Sequence, residues 1–490
     1  MADFLLELLS EEIPARMQAR ARADLARLFT ERLAEAGLKA ERIETFSTPR
    51  RLALIAHGLP LATESVSEER RGPRADAPAQ AVEGFLRSTG LGRDQLEERE
   101  DAKGRFLYVV IEKPGQATAA VLADAVPAIV RDFPWPKSMR WGSGTARWVR
   151  PLQGIVALLD GELVECEAAG VQAGYATAGH RFLHHGPITI GGADDYAVKL
   201  RAGHVIVDHE ERAAIIRDSA ATLATGAGLA VVPDEGLVEE NAGLTEWPVP
   251  LLGRFDPAFL AVPREVIQLT MRVNQKYFAL SDAATGKLAP NFICVANLAA
   301  SDGGQAIVAG NERVLSARLS DAKFFWEQDL KAPLDSYLPK LESMLFYEGM
   351  GSLREKTDRI AALSAHICRA YFPERDPATA ERAALLAKAD LATGMVGEFP
   401  ELQGVMGGYY AEAAGEKPGT VSAISQQYQP AAEGCIPACV ALADRIDTLV
   451  AFFSRGIKPT GSKGPFALRR AALYTIPTLL ANGTRLSLRA

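Results

Sequence analysis

The stretch LREKTDRIAALSAHICRAYF, residues 353–372, places apolar side chains at positions i, i+3, i+4 and i+7. This spacing puts them on one face of an α-helix. The same periodicity recurs in ATAERAALLAKADLATGMV (378–396) and in ACVALADRIDTLVAFFSRG (438–456). The pattern therefore predicts an all-α domain that begins after about Leu330.

The sequence before Leu330 has a different pattern. Short apolar runs such as DFLLELL (3–9) and RLALIAHGL (51–59) predict strands. The dipeptide Asp160-Gly161, which lies between two apolar runs, predicts a β-hairpin. Because helical patterns alternate with these strands, the region is predicted to be mixed α+β.

We therefore predict a multidomain fold in which an N-terminal α+β region, with mixed or antiparallel sheets and helices, precedes an all-α domain. A division of the first region into two subdomains near residues 60–75 is one alternative. Proline punctuation by Pro333 and Pro339 predicts a connecting helical arm. The predicted boundaries are 1–329 for the α+β region, 330–352 for the arm and 353–490 for the helical domain, which we expect to be truncated at its C-terminus.

The composition is that of a folded chain, with 48% apolar, 23% charged and 7% aromatic residues. A length of 490 residues suggests about three domains at roughly 150 residues each. The start MADFLLELLSEEIPARM has no basic n-region, and no apolar run reaches the ~18 residues of a membrane span. We therefore expect a cytoplasmic protein without a membrane partner.

The cysteines give little indication of a metal site. Five are spread over the chain without a CxxC pair, and only Cys435 and Cys439 lie close together. A zinc site would need two further ligands at suitable spacing, so reduced thiols are favoured and no metal is predicted. The net charge of −7, from 54 basic and 61 acidic side chains, means that any contact with RNA must be a local patch.

The segment RDFPWPKSMRWGSGTARWVRPL, residues 131–152, is the first candidate for such a patch. Arginines can bond phosphates while indoles stack on unpaired bases, so interleaving the two types fits the single-stranded part of an RNA. The alternative is that the tryptophans are core residues and the arginines bond carbonyl groups in an irregular loop. The candidate RNA-binding residues in this segment are Lys137, Arg140, Trp141, Arg147 and Arg150.

Arg50 and Arg51, directly before a predicted strand, are further candidates, because arginines at the mouth of a strand can hold a phosphate. Their alternative role is pairing with local acids such as Glu41 or Glu44.

Three of the seven histidines, His180, His184 and His185, lie in AGHRFLHHG, where both a metal site and a structural role are open. The structural role is favoured, because the nearest acids lie beyond a Gly-Gly turn.

The helical part resembles the arrangement of metal-dependent HD phosphohydrolases. Those enzymes hold a divalent ion with two imidazoles and two carboxylates, which include a His-Asp doublet. Here the doublet's histidine is replaced by Ala389, and Lys388 could neutralise Asp390. We therefore predict a degenerate site without metal, composed of His366, Lys388, Ala389, Asp390, Asp444 and Asp447.

A second basic segment, GIKPTGSKGPFALRRAAL, includes Lys463, Arg469 and Arg470 at the start of a predicted helix. Free amides and adjacent positive charge could hold a phosphate there, and a solvated basic turn is the alternative.

Several motifs together resemble the β subunit of the bacterial two-subunit glycyl-tRNA synthetase. They occur in the same order and cover nearly the whole chain. One departure is Gly464, which stands where the family usually has an acid in Lys-Asp-Pro-Phe-Ala-Leu-Arg-Arg. The motifs are LLELLSEEIPARM, FSTPRRLAL, KSMRWG, GHRF, EWPVPLLGRF, NQKYF, GNERVLSARLSDAKFFWEQD, GSLREKTDRI, AKADLATGMVGEFPELQGVMGGYYA and ALADRIDTLVAFF.

The resemblance implies an α2β2 ligase that joins glycine to tRNA(Gly) with ATP. In that family the α subunit is the class II catalytic core and the β subunit binds tRNA. The β subunit is expected to contain an α+β region of the phenylalanyl-synthetase type, a degenerate HD-like domain and an anticodon-binding domain, the last of which we expect to be missing here.

The residues agree with a non-catalytic role, since the sequence has no P-loop and no Rossmann fingerprint. We expect no catalytic residue and no cofactor in this chain, with ATP and Mg at the α subunit. The alternatives are an autonomous HD-type phosphohydrolase and an aminoacyl-tRNA editing hydrolase.

Overall fold

The structure is a computed structural model that describes residues 1–90, 92–101, 104–113, 115–459 and 467–485. The chain forms two compact units. The first contains Met1–Leu252 and Ile293–Ile307, and the second contains Gly253–Phe292 and Val308–Ala490. The domain boundaries given above at residues 329 and 352 stay a prediction.

The first unit contains most of the strands. They are β1 (Ala2–Ser10), β2 (Arg42–Thr48), β3 (Arg51–Leu59), β4 (Val66–Arg74), β5 (Glu97–Asp101), β6 (Gly104–Lys113), β7 (Leu152–Leu159), β8 (Glu162–Leu163), β9 (Glu167–Ala168), β10 (Val171–Gly174), β11 (Ala176–Ala178), β12 (Pro187–Thr189) and β13 (Leu229–Val231). Its helices are α1 (Ala15–Glu35), α2 (Ala79–Thr89), α3 (Thr118–Asp132), α4 (Ala193–Ala202), α5 (His209–Gly226) and α6 (Glu235–Leu244).

The main sheet of this unit has the strand order β2-β3-β1-β7-β10-β9, with β8 paired to β7. Its pairs are antiparallel except for β10 with β7. The predicted hairpin lies between β7 and β8, where Asp160 and Gly161 have φ values of 50° and 83°. These positive φ values explain the Asp-Gly pair, because glycine adopts them without strain.

Strand β1 is central to the sheet and is buried on both faces. Phe4, Leu6 and Leu8 belong to the core under α1 and α3, whereas Leu5 belongs to the core under α4. A strand buried on both faces reads as a nearly continuous apolar run, which is what DFLLELL is. Glu7, which lies between the leucines of the run, is therefore inside the protein.

The second unit is helical and contains one strand pair. Three elements, β14 (Val249–Arg254), β16 (Leu288–Ala296) and α8 (Gln305–Asp329), have residues in both units. The remaining strand is β15 (Phe278–Asp282), and the remaining helices are α7 (Arg264–Leu269), α9 (Leu353–Tyr371), α10 (Pro377–Leu386), α11 (Gly394–Glu398), α12 (Val405–Ala413), α13 (Pro418–Gln426), α14 (Cys435–Ser454) and α15 (Leu468–Ala481).

The core of the second unit lies between α9, α10, α13 and α14. It contains small side chains such as Ala380, Ala384 and Ala443, with Ile360 and Leu442 between them. The predicted order, a mixed α+β region before a helical region, is confirmed. The HD-like character of the helical part stays a prediction.

The helix expected over residues 378–396 is wrong in detail, because the structure divides it. Helix α10 ends at Leu386, a 3₁₀ turn covers Ala389–Ala392, and α11 begins at Gly394. The start of α11 is stabilised by Asp329, whose carboxylate accepts the amides of Gly394 (2.9 Å) and Met395 (2.8 Å). Lys388, Ala389 and Asp390 therefore lie at a turn and not on a continuous helix.

No helix among the described residues has the length and apolarity that crossing a membrane requires.

Candidate functional site

Arg51 lies at the centre of a buried polar cluster in the first unit. Its side chain is 0% exposed, and its Nε lies 3.2 Å from Oε2 of Glu7. The same guanidinium bonds the carboxylate of Glu246 and the carbonyl oxygen of Ala178. The chain brings these groups together because Glu7 and Arg51 lie on the neighbouring strands β1 and β3, while Glu246 follows α6.

Further bonds satisfy the two carboxylates. Glu7 accepts hydrogen bonds from the hydroxyls of Tyr196 (2.6 Å) and Thr177, and Glu246 accepts one from Thr48 (2.9 Å). Burial alone would raise the pKa of Glu246, but Arg51 and Arg50 outweigh it and hold that pKa below its usual range. The cluster is therefore a fully paired set of buried charges.

This cluster bears on the two roles predicted for Arg50 and Arg51. Both arginines pair with acids, but the partners are Glu246 and Glu7 and not Glu41 or Glu44 as expected. Arg51 has no exposed surface on which a phosphate could lie. Arg50 is largely covered as well, because its Nη2 donates to the carbonyl oxygen of Gly179 at 2.6 Å. The contact of these two residues with RNA stays a prediction, and their ion pairs do not favour it.

The tryptophan-rich segment rests on a buried aromatic cluster. The rings of Phe133, Trp135 and Trp148 lie 4.6–5.0 Å apart, and Trp148 is completely buried. Trp141 is half-buried and packs against the same core. The buried indole of Trp148 cannot stack on an RNA base. For Trp148, the alternative given above, a core residue, is therefore the one that agrees with the structure.

The basic residues of the same segment differ from the tryptophans. Lys137 and Arg140 are exposed and make no hydrogen bond or ion pair within the part of the chain that the structure describes. Arg147 is exposed too, but its Nη2 donates to the Ser138 carbonyl at 3.1 Å, and Arg150 donates to the Val149 carbonyl at 2.7 Å. The loop thus presents two free cations, Lys137 and Arg140, on a rigid base.

The histidine segment is structural. His180 is completely buried, and its Nδ1 accepts the amides of Phe182 and Leu183 at 3.3 Å each. Burial lowers the pKa of His180 and so favours the neutral ring. The described residues include no group of three or more His, Cys, Asp or Glu side chains arranged to hold a metal ion.

A second buried charge cluster lies in the helical unit. Lys388 is only 3% exposed, and its Nζ lies 2.7 Å from Oδ2 of Asp444. The same Nζ bonds Oε1 of Gln427 and the hydroxyl of Tyr428, both at 2.8 Å. Lys388 was predicted to neutralise Asp390, but its ion pair is with Asp444.

A second lysine completes this cluster. Lys356 on α9 lies 2.9 Å from Asp444 and 3.1 Å from Asp447, and Arg359 bonds Asp447 at 2.7 Å. Burial would raise the pKa of Asp444, but Lys388 and Lys356 outweigh it and hold that pKa well below its usual range. Two ammonium groups therefore lie against these carboxylates. The name charge cluster is used below for Lys356, Lys388, Asp444 and Asp447.

Asp390 is buried differently from the other two aspartates. Its Oδ2 accepts the amides of Gly404 (2.5 Å) and Gly407 (3.1 Å), while Oδ1 has no hydrogen-bond partner among the described residues. Burial raises the pKa of Asp390 to about 6. A side chain at Gly407 would lie 2.9 Å from the Asp390 carboxylate and 2.7 Å from Ile424, so only glycine fits that position.

The remaining members of the predicted degenerate site are not in this cluster. Ala389 is buried beside Asp390, whereas His366 lies on the exposed side of α9. Sequence reasoning missed Lys356 and Arg359, which both pair with Asp447. The sequence did contain a signal for Lys356, because it lies four residues before the buried Ile360 and therefore on the apolar face of α9.

The basic segment near the C-terminus is described only in part. Lys463 lies outside the described residues. Arg469 and Arg470 are exposed in the first turn of α15.

The chain matches the family model described as glycyl-tRNA synthetase beta subunit over residues 4–490. Similar relatives named glycine–tRNA ligase beta subunit are those of Phenylobacterium zucineum, which is 52% identical over 499 residues, and Paracoccus denitrificans, which is 50% identical over 501 residues. The alignments cover all of this chain and 74% and 73% of those relatives. Rhodospirillum centenum has a relative that is 48% identical, of which 73% is covered.

These matches place the chain among the subunits of aminoacyl-tRNA synthetases. More particularly, it belongs to the glycyl-tRNA synthetase beta-subunit family, so the resemblance read from the motifs is confirmed.

Replacing Arg51 tests whether its role is structural. Arg51→Met leaves Glu7 and Glu246 buried without their main partner, so we expect a loss of unfolding free energy of about 3–5 kcal/mol. Urea unfolding followed by tryptophan fluorescence measures this loss. The matched control is Arg20→Met, whose side chain is 68% exposed and pairs with Asp24, and which should lose less than about 1 kcal/mol. Equal stability of the two variants would contradict the structural role.

The stability contributed by Asp390 should depend on pH. Its pKa is raised in the folded state from 3.8 to about 6, so folding is favoured where Asp390 is protonated, and this contribution is lost as pH rises from about 4 through 6. Asp390→Asn removes the dependence. Relative to wild type, the variant should therefore gain stability between pH 4 and pH 7, by up to about 3 kcal/mol.

The control for this measurement is Asp376→Asn. Hydrogen bonds from Thr379 and the amide of Ala378 lower the pKa of Asp376, so this variant should lose stability relative to wild type as pH rises. If the difference in unfolding free energy between Asp390→Asn and wild type stays constant with pH, the pKa of Asp390 is not raised in the folded state.

Proposed function

We propose that this chain is a non-catalytic, tRNA-presenting β subunit of a glycine–tRNA ligase. It binds tRNA(Gly) and positions it for an α subunit in an α2β2 assembly, where ATP and Mg form the glycyl adenylate. The proposal places the protein in the cytoplasm, where tRNA is charged. It assigns no catalytic residue and no cofactor to this chain.

The observation that carries the tRNA role is the exposure of Lys137 and Arg140, two cations without an ion-pair or hydrogen-bond partner among the described residues. A phosphate that binds there breaks no existing ion pair, so the protein gives up no internal interaction on binding. Lys and Arg side chains of this kind contribute most of the affinity for nucleic acid by releasing counterions from phosphates.

The loop that carries these cations is held in place from below. The backbones of Met139 and Trp148 form a β-bridge, with the Met139 amide 2.9 Å from the Trp148 carbonyl oxygen. The buried ring of Trp148 anchors this bridge to the core of the first unit. A fixed loop positions an RNA with less loss of conformational entropy than a mobile one.

Arg147 extends this surface. Its guanidinium donates two hydrogen bonds of 3.1 Å to the hydroxyl and the carbonyl oxygen of Ser138, and none of the described acids pairs with it. It can therefore contribute to the field around Lys137 and Arg140 while it holds the loop. Trp141, at the edge of the same core, offers a half-buried ring next to these charges.

The alternative of an HD-type phosphohydrolase receives less support. The charge cluster already pairs Asp444 and Asp447 with two lysines and Arg359, so those carboxylates have no uncompensated charge to attract a divalent cation. The alternative of an editing hydrolase has no group of residues that favours it among those described.

Removing the two free cations tests the proposal. The double variant Lys137→Gln/Arg140→Gln should weaken tRNA(Gly) binding by about tenfold or more at low salt. It should also lower the slope of log affinity against log salt concentration by about two, because two phosphate contacts are lost. Filter binding at several salt concentrations measures both quantities.

The control variant is Arg131→Gln, an exposed arginine of the same segment that already pairs with Asp132 at 2.9 Å. It should change the affinity by less than about twofold, since its charge is largely compensated. Equal loss in the control and in the double variant would mean that only the general charge of the surface matters, and it would contradict a specific role of Lys137 and Arg140.

A further inference from the structure

A cavity of about 650 Å³ lies in the helical unit beside the charge cluster. This volume lies in the range of ordinary small-molecule sites, roughly 300–1,000 Å³. The tRNA role proposed above uses the loop of the first unit and does not use this cavity. The groups on which its chemistry depends are Tyr428, Asp444, Arg445, Arg470 and Tyr474.

The charges around the cavity favour an anion. Its wall contains two acids, the exposed Glu401 and the largely covered Asp444, and Asp444 is already neutralised by Lys356 and Lys388. Arg445 is buried, and its guanidinium donates to the carbonyl groups of Gln429 and Tyr474 and to the hydroxyl of Thr478, none of which carries a charge. The positive charge of Arg445 therefore remains next to the cavity.

Arg470 and the start of α15 provide a place for a phosphate. Arg470 lines the cavity, is exposed and makes no hydrogen bond or ion pair with the residues that the structure describes. It lies in the first turn of α15, a helix of 14 residues, and the cavity is also lined by Ala471 of this helix and by Ala467, the residue before it. The unpaired amides of a helix N-terminus attract anions, and here a free guanidinium lies beside them.

Two tyrosines provide aromatic surface in the same cavity. Tyr428 is 37% exposed, and its hydroxyl is fixed by Nζ of Lys388 at 2.8 Å. Tyr474, on α15 one turn after Arg470, is half-buried. Stacking of a base on such a ring is worth about 1–3 kcal/mol and tolerates any base.

We propose that this cavity binds a ribonucleoside monophosphate unit, with its phosphate at Arg470 and the first amides of α15 and its base against Tyr428 or Tyr474. The unit can be a free mononucleotide or the 3′-terminal nucleotide of an RNA, since the two share this chemistry. The proposal goes beyond the tRNA role of the Lys137 and Arg140 loop and does not depend on it.

Calorimetric titration of the full chain with AMP tests the site. We expect AMP to bind and ribose 5-phosphate, which lacks the base, to bind at least about tenfold more weakly. Arg470→Gln should weaken AMP binding by about tenfold, because a charge-assisted bond to the phosphate is lost. Tyr428→Leu should weaken it by a similar factor, whereas Tyr428→Phe, which keeps the ring, should stay within about twofold.

The matched control is Arg375→Gln, which removes an exposed arginine of the same unit that does not line the cavity, and it should leave AMP binding unchanged. Equal weakening by Arg375→Gln and Arg470→Gln would overturn the site in favour of diffuse electrostatics. Thermal unfolding of each variant shows whether it is folded. If Tyr428→Leu does not fold, Arg470→Gln still tests the site, because Arg470 is exposed and its replacement should not disturb the fold.

Competition with RNA separates the two sources of the unit. If intact tRNA displaces AMP and trimmed tRNA, which lacks the whole unpaired 3′ end, does not, the terminal nucleotide occupies the cavity. If neither tRNA displaces bound AMP, a free mononucleotide is the ligand. AMP itself need not bind for the RNA end to be the ligand. If Arg470→Gln weakens the binding of intact tRNA and leaves that of trimmed tRNA unchanged, the RNA end is also supported.

Absence of AMP binding together with equal behaviour of intact and trimmed tRNA overturns the proposal. Failure of the tRNA role proposed above would give a different result, because the tRNA affinity would then be unchanged in the double variant Lys137→Gln/Arg140→Gln. That result leaves the AMP titration unaffected.

Discussion

Arg51 between Glu7 and Glu246 is the interaction on which the first unit depends. A buried guanidinium is tolerated only when carboxylates compensate its charge, and a carboxylate left without it is strongly unfavourable. The requirement joins β1, β3 and the segment after α6, because each supplies one member of the cluster. The loop that carries Lys137 and Arg140 rests on the core of the same sheet, so its position depends on this unit being folded.

The helical unit meets the same constraint with lysines. Lys356 and Lys388 compensate Asp444, and Lys356 with Arg359 compensates Asp447, which gives the helices α9 and α14 a charged contact inside an otherwise small-residue core. Asp390 is the exception, because it relies on two backbone amides and has a raised pKa. The wall between the charge cluster and the cavity is thus positively charged. The described residues include no group of side chains arranged to hold a metal ion.

The order of an α+β region and a helical region could be predicted from periodicity, and the family could be recognised from ten colinear motifs. The partners of the arginines could not, because Glu246 is 195 residues from Arg51 along the chain. The new helix start at Gly394 was also hidden, since the carboxylate that accepts the Gly394 amide belongs to Asp329, 65 residues earlier in the chain. Local patterns predict that the segment of Lys137 and Arg140 could bind RNA. Only the folded structure shows that these two cations, unlike Arg50 and Arg51, have no partner in the part of the chain that it describes.

The central claim is that this chain presents tRNA(Gly) and leaves the chemistry to another subunit. Glycine-dependent ATP–pyrophosphate exchange, measured on the purified chain with and without the α subunit, tests it most directly. The account predicts no exchange by this chain alone and exchange once the α subunit is added. Exchange by this chain alone would contradict the account, because it would require a nucleotide-activating site here.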